Sequence, residues 1–528
     1  MSKNPKSGQP GDLAKLNASP QAAASWQQAQ QNLLHGRNAA ALAGYRSLVR
    51  QFPDVSQLWA EMGLAAAGDL DFTLADQASR RAAELAASDA NLLVSLGQQY
   101  HRLRRLDQAA ACFADAVKAD PSSVHARLSL AAWLERSGKL DEAWVCVELC
   151  LAQNPKDSRA LYYRSFLLHR KGMNAEAETA LRELLKSNPP EADVKYSATH
   201  LLGVVLDALG QYDEALRSLA AAKSMLRHMT NTVALEESYD KMARARKELL
   251  AALTKENIQR WREEAPEEKE CGRLVFLGGA PRSGTTLLEQ ILGAHPQILV
   301  FDEAEAFATE ILNALCPPPP ARGLSAKTLN SLTSTDRRRL RNRYLKSLKR
   351  GASDADASQL LLDKNPSLTA SLHVWLRLFP KLKVIIALRD PRDVIVSCYF
   401  QNLTLTAANV NFLSLDRTAA FYADCMDVWL RMRELGDFDW IETRYEDVVS
   451  KLEPEARRMT EFLGLPWNEA QSASHHSARK QFVFAPTYNE VTKPIYNSAV
   501  NRWQHYASAL AHLEPRLERF FQAFGYSK

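Results

Sequence analysis

Apolar and small residues follow a helical period through roughly the first 230 positions, and that period is itself repeated. Alanines stand at Ala41, Ala75, Ala109, Ala143 and Ala177, each 34 positions after the last, and again at Ala215 after a four-residue insertion. Prolines keep the same step at Pro53, Pro121, Pro155 and Pro189, with Ala87 filling the gap. Within a unit such as LLVSLGQQYHRLRRLDQAAACFADAVKADP, two amphipathic stretches flank a short turn, which predicts a pair of helices. Small residues (Gly97 and Ala109 in this unit, with Gly63 and Gly203 at the glycine position of two others) let one helix approach the next. The proline, lacking an N–H, ends the second helix. The insertion PPEADVKYS, near residues 189 to 197, is expected to lengthen a loop and could lie beside a catalytic domain.

The step and these residues resemble the tetratricopeptide repeat, with about six units between residues 22 and 230. That resemblance implies an all-α superhelix with a concave face of the kind that commonly binds an extended peptide or protein, and what this one binds stays open. The first 21 residues, polar and rich in Gly, Pro and Ser, are expected to be disordered. From 231 to 270 the charge density rises while helical spacing persists up to Pro266, which predicts a connecting and capping helical segment.

At residue 274 the period changes. LVFLGG is a short β-type run, followed by APRSGTT and then by LLEQILGAH at helical spacing. Strand, glycine-containing loop and helix together aim backbone N–H groups at an anion. Gly279 and Gly284 have the separation of the GxxxxGK[ST] nucleotide loop, but Thr285 stands where that loop requires Lys, and the basic residue is Arg282. A kinase or NTPase is therefore disfavoured. About 100 residues on, KLKVIIALRDPRDVIVSCYFQN gives a second strand, Val384 to Leu388, then Arg389 and a helix carrying Ser397. Two such units predict a three-layer α/β domain with a mainly parallel sheet, its ligand at the carboxyl ends of the strands.

PRSGTT, its apolar helix and the following His295-Pro296 are similar to the 5′-phosphosulfate loop of sulfotransferases, more specifically of the protein-tyrosine sulfotransferases. The resemblance covers about residues 271 to 528 and implies 3′-phosphoadenosine 5′-phosphosulfate as co-substrate. It assigns Ser283, Gly284, Thr285 and Thr286 as phosphate donors, and Arg282 to span phosphate and sulfonate. Arg389 and Ser397 would hold the 3′-phosphate, and Tyr445 would lie against the adenine. Lys364, in LLDKNP, would assist the leaving oxygen; Thr487, Lys493, Arg502 and Trp503 would belong to a segment closing over the nucleotide. Two departures stand out, Thr487 in place of Ser and Gln401 in place of an arginine. The family's catalytic glutamate falls on Glu303, with Asp302 and Glu305 close enough to compete and a histidine as the rival base. His295 belongs to the turn. Arg282, Lys364 and the N–H donors would supply the positive field, so no metal is expected.

Composition narrows the remaining classes. At 528 residues, with 46% hydrophobic and 24% charged positions, the chain can bury two sizeable cores. A net charge of +5 with interleaved signs gives no nucleic-acid signature. Seven scattered cysteines without a CxxC pair point to reduced thiols, and no run of about 18 apolar residues or signal peptide is seen, so a soluble cytoplasmic protein is expected. CPPPPARG, residues 316 to 323, reads as a stiff surface loop. The acceptor stays open between a protein tyrosine and a carbohydrate or small-molecule hydroxyl, and a homodimer is allowed. A different class, a repeat scaffold with an inactive nucleotide-binding domain, also fits the repeats.

Overall fold

All six alanines on the repeating step are 0% exposed. A side chain longer than a methyl group at any of them would meet the neighbouring helix, which is why the step appears in the sequence as alanine. The computed structural model describes residues 14, 16–35, 37–69, 71–86, 88–103, 105–265, 271–316, 324–349, 358–402, 404–472 and 499–527. They fall in two compact units, Met1–Ala198 and Thr199–Lys528.

The first unit is built from helix pairs: Pro20–Leu34 with Asn38–Gln51, Ser56–Gly68 with Phe72–Leu85, Ala90–Arg102 with Leu106–Ala119, Val124–Arg136 with Leu140–Gln153, and Ser158–Arg170 with Asn174–Lys186. Glycine permits the tight crossings, since a Cβ on Gly97 would stand 2.9 Å from the Phe113 ring. Side-chain oxygens of Asp89, Ser123 and Asp157 cap successive first helices by accepting N–H bonds from their opening turns. The four-residue insertion does not lengthen a loop. It is absorbed as one more turn of the next helix, Ala192–Ala208, which has 17 residues where its counterparts have 13. A turn of α-helix takes about 3.6 residues, so four are added without disturbing the packed face.

The second unit centres on five parallel strands, β1 (Leu274–Gly279), β2 (Ile298–Asp302), β3 (Leu360–Lys364), β4 (Lys383–Leu388) and β5 (Trp440–Arg444), in the order β2-β3-β1-β4-β5. Alternate residues feed two separate cores. Leu274, Phe276, Val384 and Ile386 join one with Trp375 and Trp429, whereas Val275, Leu277 and Ile385 join the other with Leu288, Ile291 and Met459. Side chains of a strand alternate faces, so a sheet that is apolar on both must be covered on both, giving three layers. The helices Tyr212–Met229, Thr232–Ala251 and Lys255–Glu263 share the first of these cores through Leu219, Tyr239, Leu249 and Trp261. The order places β1 between β3 and β4, and the chain leaves β1 and β4 towards opposite sides, which opens a crevice at their carboxyl ends. Among the described residues no helix is long and apolar enough to cross a membrane.

Candidate active site

β1 ends at Gly279, directly beside Ala387 of β4. Gly279 has φ 135°, and a Cβ there would lie 2.4 Å from the Ala387 carbonyl oxygen, so only glycine lets the chain turn away at this point. Thr369 braces the turn, its hydroxyl accepting from the Gly279 N–H at 2.8 Å and lying 2.9 Å from the Gly279 carbonyl. Ser283 closes the loop by donating its hydroxyl to the Ala280 carbonyl at 2.6 Å. The helix Thr285–Gly293 then opens on Gly284 at φ 97° with no side-chain cap, leaving its first N–H groups directed into the loop. Thr285 and Thr286 are both buried.

The second loop meets the first. Arg282, itself at φ 71°, donates from Nε to Ser397 Oγ at 3.0 Å. Arg389, at the end of β4, donates from Nη1 to the Arg282 carbonyl at 3.1 Å, and its buried Nε has no hydrogen-bond partner among the described residues. Its guanidinium carbon lies 4.8 Å from the centre of the Tyr445 ring. Tyr445 begins the helix after β5 and packs so closely on Gly284 that a Cβ there would lie 2.7 Å from the ring. The rest of RDPRD is structural. Asp390 and Arg392 form a buried ion pair, and Arg392 lies over Trp503 at 3.5 Å. Asp393 accepts the backbone N–H groups of Asn501 and Trp503 at 2.9 and 2.8 Å, fastening the returning chain. Burial raises the Asp393 pKa to about 6, against the pull of Arg389 and those N–H groups.

On the other side of β1, the last residue of β3 gathers three carboxylates. Lys364, 0% exposed, lies 3.2 Å from Glu289, 3.2 Å from Glu303 and closer still to Asp302. Burial lowers the pKa of its ammonium, but the three negative charges more than offset this and hold it above the usual lysine value. Burial, with Asp302 and Glu303 nearby and Lys364 opposing, raises Glu289 to about 7. Of the three, Glu303 alone is substantially open, at 46% side-chain exposure, and it sits at φ 47° with its N–H bonded to the Lys364 carbonyl at 2.8 Å.

Residues 275–469 match the model of the sulfotransferase family. The chain carries a sulfotransferase-family domain. Residues 90–123 match the tetratricopeptide repeat. Among similar proteins, an uncharacterized protein of Aquifex aeolicus strain VF5 is 27% identical over 62% of this chain and 42% of its own length. Protein-tyrosine sulfotransferase A of Caenorhabditis elegans is 24% identical over 43% of this chain and 60% of its own length. The chain thus spans about half the length of these curated relatives. Among solved structures, the sulfotransferase domain of the Synechococcus PCC 7002 olefin synthase is similar at 19% identity and TM-score 0.35, covering 48% of this chain and 95% of that one.

The sulfotransferase-family domain thus brings Arg282, Ser283, Gly284, Thr285, Thr286, Arg389, Ser397 and Tyr445 to adjoining loops, with Glu303 and Lys364 paired beyond β1. Arg502 is engaged elsewhere, paired with Asp207 at 2.7 Å and lying over Phe400. Thr487 and Lys493 lie outside the described residues, as do residues 317–323 of the proline-rich stretch. Asp302 is buried against Lys364 and Glu305 is exposed. His295 accepts the Gln297 N–H at Nδ1, so Nε2 carries the proton it shares with the Pro466 carbonyl, as a turn residue would. The sequence reading missed Glu289. Its signal was a single charge inside the apolar run LLEQIL, where a carboxylate must find a partner.

Proposed function

We propose that the second unit transfers a sulfuryl group from 3′-phosphoadenosine 5′-phosphosulfate to a hydroxyl acceptor by in-line displacement. The observation that carries this reading is the 3.0 Å hydrogen bond from Arg282 Nε to Ser397 Oγ, which joins the loop after β1 to the helix after β4. A bisphosphorylated adenosine has a charged group at each end, and two adjoining anion loops separated by an aromatic ring suit it. The helix at Gly284, which has no side-chain cap, and Arg389 Nε, which has no hydrogen-bond partner among the described residues, are the donor groups such a ligand would engage.

In the reaction the acceptor oxygen bonds to sulfur while the bond from sulfur to the 5′-phosphate oxygen breaks. The acceptor proton goes to a carboxylate, and the departing 5′-phosphate gains negative charge. Glu303 takes the proton, being the open carboxylate of the cluster, with Lys364 holding it at 3.2 Å. Arg282, Lys364 and the N–H groups of Thr285 and Thr286 stabilise the charge on the leaving oxygen. Thr487, Lys493 and Arg502 complete the donor site in this reading.

Within the first unit, a cavity of about 750 Å³ is lined by Trp133, Tyr162 and Tyr163, by Arg102, Arg136 and Arg159, and by the carboxylates Asp157, Glu191 and Asp193. The aromatic faces favour an aromatic-bearing peptide, and the relatives named protein-tyrosine sulfotransferases point to a tyrosine hydroxyl. We therefore read residues 22–230 as the acceptor-binding array, 231–270 as its connector and 271–528 as the transferase. Incubating the full chain with sulfur-labelled donor and panels of tyrosine peptides, glycans and phenols tests this. Label in a tyrosine peptide is the expected result, and label in a glycan or phenol alone would reassign the acceptor. Failure to label any acceptor, with failure to bind adenosine 3′,5′-bisphosphate, would leave a scaffold.

A further inference from the structure

The helix Tyr212–Met229 lies outside the segment that matches the sulfotransferase family, yet it delivers a lysine to the helix that carries Ser397. Lys223 is 3% exposed. Its Nζ donates to the Gln401 carbonyl at 2.7 Å and lies 5.6 Å from the centre of the Tyr399 ring. Gln401 in turn donates from Nε2 to the Ser397 carbonyl at 3.2 Å. Two hydrogen bonds therefore connect the ammonium to the residue that meets Arg282.

A neutral donor would suffice to satisfy the Gln401 carbonyl, two residues past the helix Pro391–Tyr399, and a buried ammonium is a costly way to do it. Burial lowers the Lys223 pKa to about 8, and among the described residues no carboxylate pairs with it. His200, against the same turn, offers no compensating charge, because burial and Lys223 itself hold its imidazole neutral at about 3. Of the acidic groups of the same hairpin, Asp207 is committed to Arg502 and Tyr506, and Asp213 and Glu214 lie in the first turn of the helix, more than two turns before Lys223. Meanwhile the Cys398 thiol, next to Ser397, lies within the fields of Arg282, Arg389 and Lys223 together. Arg282 at Ser397, Arg389 at the Arg282 carbonyl and Lys223 at the Gln401 carbonyl thus put three cations around this helix against the Asp393 carboxylate, 3.9 Å from Arg389, a balance that favours an anion.

Resting on the donor reading above, we infer that Lys223 is a positioning residue for the donor's 3′-phosphate. Its ammonium fixes the chain just past the helix that presents Ser397 and adds a positive charge on the Ser397 side of the Arg282–Ser397 pair. The helical segment ahead of the sulfotransferase-family domain is then part of the donor site. A 5′-nucleotide without the 3′-phosphate gains nothing from this charge, so Lys223 sets the preference between the two.

The test is calorimetric titration of the full chain with adenosine 3′,5′-bisphosphate and with adenosine 5′-monophosphate, for wild type, Lys223→Arg, Lys223→Gln and Lys223→Met. Glutamine can still donate to the Gln401 carbonyl but carries no charge, so it separates the electrostatic role from simple capping. Loss of a charge-assisted contact corresponds to about a tenfold fall in the preference for the bisphosphate in Lys223→Gln and Lys223→Met, with Lys223→Arg close to wild type. Circular dichroism establishes that each variant is folded, and Lys223→Gln carries the test if Lys223→Met is not. An unchanged preference in a folded Lys223→Gln, or equal weakening of both nucleotides, overturns the inference and leaves the donor reading intact. Failure of the wild type to bind either nucleotide overturns the donor reading, and this inference with it.

Discussion

Arg282 and Ser397 are 115 positions apart in the chain and 3.0 Å apart in the fold, guanidinium Nε to hydroxyl Oγ. The contact exists because β1 and β4 are hydrogen-bonded neighbours, so the segments that leave them start side by side. Arg282→Ala removes a charged, forked donor, and a hydrogen bond to a charged group is worth about 1.5–3 kcal/mol. Adenosine 3′,5′-bisphosphate should therefore bind about 10- to 100-fold more weakly. Ser397→Ala should cost less, about tenfold at most, since only a neutral hydroxyl is lost. Titration calorimetry on both variants checks the order.

Glu303→Gln should reduce transfer at least about 100-fold while leaving bisphosphate affinity nearly unchanged, because a general base contributes to the chemical step alone. Single-turnover assays with labelled donor measure the first quantity and calorimetry the second. Retention of more than about a tenth of the rate would move the proton-accepting role away from Glu303.

Gly284→Ala places a methyl carbon where φ is 97° and the Tyr445 ring lies 2.7 Å away. Both the backbone and the ring must give. The expected outcome is a loss of stability of about 1–2 kcal/mol, from placing a non-glycine residue at positive φ, and a larger loss of nucleotide binding as Tyr445 is displaced. Thermal unfolding with and without nucleotide separates the two effects.

Glu289 holds a proton in the folded chain over a range in which the unfolded chain has released it. Its pKa rises from 4.5 to about 7, so the stability it contributes is fully present below the lower value and is lost as pH rises through the upper one. Glu289→Gln mimics the protonated form and should remove this dependence, flattening stability by at most about 1.4 kcal/mol per pH unit across that window. Asp363 and Asp393 are shifted in the same direction but are present in both proteins, so the difference between wild type and variant isolates Glu289. Denaturant unfolding from pH 4.5 to 7.5 reads it.

Asp393→Asn turns one of two accepting oxygens into a donor that faces a backbone N–H, either that of Asn501 or that of Trp503. A buried donor opposite a donor costs about 1–3 kcal/mol. The segment that follows Ala499 should loosen, which hydrogen exchange at Asn501 and Trp503 would register as lost protection.

The repeats were legible because close helix packing admits only small residues, and a buried alanine every 34 positions leaves a mark that no other constraint erases. The two strand-loop-helix units were legible for a similar reason, since glycine at a positive φ and a strand that is apolar on both faces restrict the residues that can stand there. The insertion near residue 190 reads in the sequence as a lengthened loop, because a turn of helix and a longer loop cost the chain the same four residues. Glu289 and Lys223 stayed hidden because each is given its meaning by partners far along the chain, Lys364 and Gln401, that only the fold supplies. Arg502, assigned to the nucleotide by the resemblance, also pairs with Asp207. That pairing depends on a helix of the repeat-like hairpin, which the sequence pattern alone does not bring near.

The most direct measurement of the central claim is calorimetric titration of the intact, folded wild-type chain with adenosine 3′,5′-bisphosphate. The expected result is saturable binding of one nucleotide per chain. Absence of saturable binding at millimolar nucleotide would contradict it, because two anion loops joined at Arg282 and Ser397 would then have no bisphosphorylated ligand to hold.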